Sequence, residues 1–273
     1  MRFAIHKLRA SRVNLQMNDY VGGLPSPMAF LGLAESIGRD LGLEPWTARV
    51  LPVLHAVHVS DGRTKPEMEP KSDKESKLKV FAPIEIVEDM IGTVEVSLIL
   101  DLPGCENTED LRRLVLTKRI AGGTVCNKDV RVEVVAADGS CLKGLSRGYA
   151  MLRPDQEDRR IISSGDLDQM ERIARILFPE TREPGRGWII PVAVGHRLLE
   201  DPETVPKRIR TRNADVPHVF VEPCLGIAEL VSVRNARLTG LDDLGLSDRL
   251  WRWSAEGDHV LGHPAYQPVY ALS

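Results

Sequence analysis

Between Arg12 and Asn18 apolar and polar residues alternate, with Val13, Leu15 and Met17 on one side and Asn14, Gln16 and Asn18 on the other. A period of two predicts a half-buried strand. Gly22-Gly23-Leu24-Pro25 ends it. Ser26-Pro27 then reads as a helix N-cap with proline at the first helical position. Phe30, Leu33, Ile37 and Leu41 follow at helical spacing, and Gly42 is placed to close the helix. Val50 to Val59 is β-branched and apolar, a second strand, with His55 and His58 on opposite faces. Thr93 to Leu100 alternates again. Residues 107–119 predict a helix capped at Asn107 or Thr108, and Val130 to Val135 a fourth strand.

Residues 61–79 have a different texture. They are almost all polar, with two prolines, six basic and five acidic residues, and cannot bury a face. They predict a long exposed insertion, either loop or solvated hairpin. The pattern over 1–136 is thus strand, helix, strand, insertion, strand, helix, strand. That order predicts an α+β fold, a ferredoxin-like (RRM-like) βαββαβ domain with both helices on one face of a four-stranded sheet. The domain expectation is 1–136 for this unit, with a thumb inserted at 61–82, and 137–273 for an α/β C-terminal extension packed on it and on partner subunits. Within the extension, residues 164–178 pattern as an amphipathic helix, Trp188 to Val194 and Ala228 to Val233 as strands, and Asp242 to Trp253 as a helix.

With 273 residues, 42% hydrophobic and 27% charged, the composition is that of a globular protein, and no apolar run reaches the length of a membrane span. The N-terminal residues Arg2, Lys7, Arg9 and Arg12 spread charge where a signal peptide needs an apolar stretch. A cytoplasmic location is expected. The net charge of −3 makes no case for nucleic acid, so any such case rests on local clustering. Four scattered cysteines and seven histidines show no metal-ligand spacing. No metal, no cofactor and no catalytic residue is assigned.

Two segments stand out. Ile120-Ala121-Gly122-Gly123-Thr124 follows Lys118 and Arg119 and joins the second helix to the fourth strand. Adjacent glycines let a backbone approach a phosphate and offer N–H donors, although an ordinary helix-ending turn has the same composition. Lys207 to Arg212 is the densest basic run, suited to a phosphate strip, and Asn213 follows it. A solvated loop is the plain alternative. Trp188 reads as a core residue, and of Trp251 and Trp253 one is expected at a partner contact.

Several segments, in order, resemble one family. Gly23 to Gly32 (GLPSPMAFLG), Val94 to Leu100, Ile120 to Thr124, Gly187 to Pro191 (GWIIP), Arg212-Asn213-Ala214 with Phe220-Val221-Glu222, and more weakly Leu250 to Trp253, are similar to the Csy-two family. That is the Cas-five-type subunit of type I-F CRISPR surveillance complexes. The resemblance implies a non-catalytic subunit that holds the five-prime handle of the guide RNA (crRNA) and caps the backbone filament. Its implied partners are the crRNA, a large Cas-eight-type subunit, Cas-seven-type backbone subunits and, through the assembled complex, target DNA, with no membrane. RNA contacts are then expected from Lys118, Arg119, Gly122, Gly123, Thr124, Arg208, Arg210, Arg212 and Asn213. Thumb contacts are expected from Arg63, Lys65, Lys71, Lys74 and Lys77. Two alternatives stand beside this. One is a metal-independent ribonuclease processing precursor crRNA, using His55, Tyr149 or a lysine. The other is a variant subunit that also reads the PAM in duplex DNA.

Overall fold

A computed structural model describes residues 1–17, 21–60, 63–70, 81–155, 169–181, 184–208 and 216–262; residues 63–70, 81–89, 169, 170, 172 and 173 are described by their backbone alone. The strands are β1 (Arg2–Asn14), β2 (Arg49–Val59), β3 (Arg63–Pro70), β4 (Phe81–Asp89), β5 (Ile91–Asp101), β6 (Arg119–Ile120), β7 (Gly123–Val125), β8 (Val132–Val134) and β9 (Tyr149–Leu152). They continue with β10 (Trp188–Leu198), β11 (Val221–Ser232), β12 (Trp251–Arg252), β13 (Ser254–Glu256) and β14 (His259–Leu261). The helices are α1 (Pro27–Asp40), α2 (Thr108–Thr117), α3 (Gln169–Leu177), α4 (Ala236–Thr239) and α5 (Asp243–Arg249).

The expected fold class is corrected by the sheet. In place of a ferredoxin-like α+β unit with a four-stranded sheet, the chain builds one antiparallel sheet of twelve strands with few helices. Its order is β13-β14-β10-β11-β9-β2-β5-β1-β7-β6, with β12 also on β2 and β8 also on β1. Among the described residues, only the β3–β4 hairpin stands outside it. The physical reason lies at the edge of β2. A four-stranded sheet would leave that edge's N–H and C=O groups bare, which invites pairing. Here β9 pairs Ala150 with Val53 and Tyr149 with Leu54, and β11 and β10 add on beyond it. Alternation along a strand reports which side is buried, never which strand lies next to it.

One core lies between the sheet and α1 with α2. It joins Leu8, Val13 and Val96 to Phe30, Leu31, Ile37, Leu111 and Val115, and continues to Val192, Ile227 and Trp251. Complete burial of side chains such as Phe30 and Leu31 contributes about 1.5–3 kcal/mol each. The Ser26 hydroxyl caps α1 by accepting from the Met28 N–H at 3.1 Å, and donates to the Ala193 carbonyl at 3.2 Å, which ties the helix start to β10. A second core covers part of the opposite sheet face: Ala4, Leu51, Val53 and Ile99 meet Leu142, Leu145, Leu238, Leu246 and Leu250. The remaining part of that opposite face, toward the far end of β1, carries polar and charged side chains.

Several local expectations change. The N-terminal basic stretch is itself strand, since β1 starts at Arg2. The helix expected to end at Trp253 ends at Arg249, and Trp251 lies in a short strand, fully buried, its indole N–H donating to the Met151 carbonyl at 2.8 Å. Trp253 is half-buried and meets Trp46 edge-on at 5.8 Å. Trp188, read as a core residue, is 58% exposed. Glu229 of the adjoining β11 lies wholly buried beside the Gly187 N–H (2.9 Å) and the Arg237 and Arg249 guanidinium groups.

Candidate nucleic-acid interface

The glycine segment does not merely end a helix. α2 stops at Thr117, and β6 and β7 form a tight hairpin pairing Arg119 with Thr124 and Ile120 with Gly123. Its two turn residues, Ala121 and Gly122, both have positive φ, 45° and 79°. That is the backbone whose twist suits a two-residue hairpin, and glycine takes it without strain. The Ala121 carbonyl accepts from the Asn14 N–H at 2.9 Å, fixing the turn to the end of β1.

The two glycines have opposite surroundings. Gly122 is exposed, and a Cβ built on it would meet nothing within 4 Å. Gly123 is buried, and its Cβ would lie 2.6 Å from the Ser11 carbonyl oxygen and 2.7 Å from Val13. Gly123 therefore lets β7 close on β1, while Gly122 presents open backbone. Beside the turn runs a cleft of about 330 Å³, lined by Ala29, Gly32, Leu33 and Ser36 of α1 and by Lys118, Arg119, Ala121 and Gly122. Two motifs noticed separately in the sequence, the GLPSPMAFLG helix start and the glycine pair, thus face each other. Gly32 has open space where a Cβ would stand, so it keeps the helix side of the cleft low.

The flanking cations differ as well. Lys118 is tied down: its ammonium donates to the Asp40 carboxylate (2.6 Å) and to the Ser36 hydroxyl (2.8 Å) and carbonyl (3.2 Å). Arg119 is exposed, with no hydrogen bond or ion pair among the described residues. Strand pairing then extends this row. Arg119 lies opposite Thr124, and Thr124 opposite Ser11 on β1. Because Ile120, Ala10 and Val13 enter the helix-side core, Arg119, Thr124 and Ser11 face the other way, onto the uncovered part of the sheet.

The second basic segment is arranged differently. Arg208 donates twice to Glu200, at 2.5 and 2.6 Å, donates to the His218 carbonyl at 2.9 Å, and stacks 4.3 Å from the centre of the Phe220 ring. The Phe220 N–H donates to Glu200, and with Arg208 it holds that carboxyl below its usual range. Arg208 is therefore spoken for within the fold. Four strands of the sheet order (β9, β2, β5 and β1) lie between β11, where the connection that carries it ends, and the β6–β7 hairpin. Arg210, Arg212 and Asn213 lie outside the described residues. So do Lys71, Lys74 and Lys77, whereas Arg63 and Lys65 fall on β3 of the hairpin.

His55 has both ring nitrogens engaged, Nδ1 with the Arg147 carbonyl (2.8 Å) and Nε2 with the Ser97 hydroxyl (2.7 Å). The carbonyl can only accept, so Nδ1 carries the proton and Ser97 donates to Nε2. Ser97 is wholly buried and also accepts from the Lys7 N–H at 3.0 Å. It fills the gap between an irregularity at Lys7 in β1 and another at His55 in β2. Burial raises Cys141 and Cys224 to about 11, so both remain protonated thiols at neutral pH. Among the described residues, no group of His, Cys, Asp and Glu could hold a metal ion, and no helix is long and apolar enough to cross a membrane.

Sequence reasoning passed over Gly32 and the outward residues of β1. The GLPSPMAFLG motif pointed to the first, but periodicity alone did not reveal that its helix borders the glycine turn.

With this geometry in place, comparison with known proteins finds a similarity over the later part of the chain. Residues 160–261 match the family described as CRISPR-associated protein (Cas_Csy2). This bears out the resemblance to the type I-F Csy-two family, which implies a subunit of a type I-F Csy complex. The matched segment holds β10, β11 and the Gly187 to Pro191 motif; the glycine hairpin and the α1 motif lie before it. No curated protein matches the chain.

Proposed function

We propose that this chain is a non-catalytic subunit of a type I-F CRISPR surveillance complex that holds the five-prime handle of the crRNA at the β6–β7 hairpin. The observation that carries the reading is Gly122: exposed, at positive φ, beside an open cleft and an uncommitted Arg119. Exposed backbone N–H groups and a neighbouring guanidinium suit phosphate oxygens. Thr124 adds a hydroxyl on the adjoining row. Lys118 acts by fixing the turn to α1, and Gly123 by letting β7 approach β1. The β3–β4 hairpin stands in the place of the thumb. The subunit works in the cytoplasm and contacts a large Cas-eight-type subunit and a Cas-seven-type backbone subunit, capping the backbone filament. It reaches target DNA only within the assembled complex.

The test is filter binding of labelled handle RNA to the purified chain across a salt series. Wild-type protein is expected to bind with a salt-dependent affinity, and Arg119→Ala combined with Gly122→Val to weaken binding about tenfold or more. Unchanged binding by this folded double variant would remove the hairpin from the site. Metal-free incubation with repeat RNA is expected to leave the RNA intact. Cleavage there would replace this reading with the ribonuclease.

A further inference from the structure

β1 breaks its register twice, between Ile5 and Leu8 and between Ala10 and Val13. At each break stands a cation with left-handed backbone, Lys7 (φ 49°) and Arg12 (φ 57°). This conformation strains any side chain with a Cβ, and glycine or asparagine is the usual occupant of such a bulge. A lysine and an arginine held there at a cost in stability indicate that the side chains are needed. Both are exposed, and Arg9 lies exposed between them.

All three emerge on the side opposite the helices, since Leu8, Ala10 and Val13 enter the helix-side core. The neighbouring carboxylate is Glu95, reached loosely by Lys7 (3.8 Å) and Arg9 (3.9 Å) and too weakly to neutralise both. Arg12 has no hydrogen bond or ion pair among the described residues. Register places the stripe in a continuous polar path. Arg119, Thr124 and Ser11 form one row at the glycine hairpin, and Thr93 of β5 pairs with His58 near the end of β2, just before the β3–β4 hairpin.

We infer that this uncovered sheet face is a second nucleic-acid contact, on which Lys7, Arg9 and Arg12 bind the phosphates of single-stranded RNA running from the glycine hairpin toward the base of the β3–β4 hairpin. The inference rests on the RNA-binding reading above and extends it to a different surface. Lys7, Arg9 and Arg12 supply the charge, and among the described residues Lys7 and Arg9 reach only Glu95, loosely. None of these outward positions is a large aromatic, so the contact is to backbone phosphate and is indifferent to base sequence.

The bulges make a clean experiment possible. Glycine at positions 7 and 12 keeps the backbone and relieves its strain, so Lys7→Gly and Arg12→Gly with Arg9→Gln remove charge without a folding penalty. Fluorescence anisotropy would follow a labelled mixed-sequence single-stranded RNA, with a duplex DNA of the same length alongside. The triple variant is expected to keep the wild-type melting temperature or exceed it. Its RNA affinity should fall at least about tenfold near physiological salt, and the salt slope by about two, as three phosphate contacts at roughly 0.7 each require. Unchanged affinity and slope in the triple variant, with loss in Arg119→Ala/Gly122→Val, would overturn this inference and leave the hairpin reading standing. Loss only in the triple variant would support the face and remove the hairpin. Tighter binding of duplex DNA, lost in the triple variant, would overturn the assignment to RNA.

Discussion

The segments 118–124 and 200–221 each bring cations to a loop, and the fold treats them in opposite ways. At the hairpin, one cation is sacrificed to structure and one is left free: Lys118 pairs with Asp40, while Arg119 and the Gly122 backbone face solvent. At the other, Arg208 is enclosed by Glu200, the His218 carbonyl and the Phe220 ring. A basic residue contributes to a phosphate site only if its charge is not already answered within the protein. Glu200 stands eight residues before Arg208, outside the basic run itself, so the density of lysine and arginine along the chain does not measure available charge.

The comparison is broken most forcefully at Gly123. Replacing it by valine drives a branched side chain into the Ser11 carbonyl and Val13, backbone and core that cannot move aside. Gly123→Val is expected to destabilise by about 3 kcal/mol or more, or to prevent folding, read as a fall in the urea midpoint. Gly122→Ala meets no atoms and only the strain of φ at 79°, and should cost about 1 kcal/mol. Equal costs at the two glycines would mean that both are structural and that the hairpin presents nothing.

Lys118 sharpens the contrast on its own segment. Its side chain is 14% exposed and ties α2's end to α1 through Asp40 and Ser36. Lys118→Met should lower stability by about 1 kcal/mol, whereas Arg119→Ala should stay within about 0.5 kcal/mol while weakening RNA binding. If both behaved alike in thermal melts, the division of labour between the two cations would fail.

The sequence made most elements of the first half legible. α1 was announced by Ser26-Pro27, α2 by Asn107, and the β3–β4 segment by its unburiable composition, because capping and patterning are local physics. The twelve-stranded sheet was not legible. Pairing of β2 with β9 joins residues about a hundred positions apart, and β9 is only four residues long, too short for its period to register. The candidate site was half legible. The glycine pair was visible, but the difference between Gly122 and Gly123 is set by the approach of β1. The commitment of Arg208 depends on Glu200 and Phe220 folding back on it. The strained cations of β1 were hidden because each bulge interrupts the alternation that marks a strand.

The smallest expected effect separates the clamp from the hairpin by pH. The Phe220 N–H and Arg208 hold the Glu200 carboxyl below its ordinary value near 4.5. A group whose pKa is lowered on folding stabilises above its unfolded value, and that contribution disappears as pH falls through the folded one. The clamp is therefore intact at neutral pH and opens only in acid, below the usual carboxylate range. Asp129 and Asp258, each held down first by an arginine (Arg112 and Arg197), act in the same direction, so wild-type stability should decline there for several reasons at once. The difference between wild type and Glu200→Gln isolates this one carboxyl. The variant should melt slightly below wild type at pH 7, and the gap should close as pH drops below the ordinary carboxylate range. Arg119→Ala should show no such closing gap, since Arg119 has no carboxylate partner among the described residues to titrate. A gap for Glu200→Gln that stayed constant into acid would show that the carboxylate charge does not hold Arg208, and that this arginine is as available as Arg119.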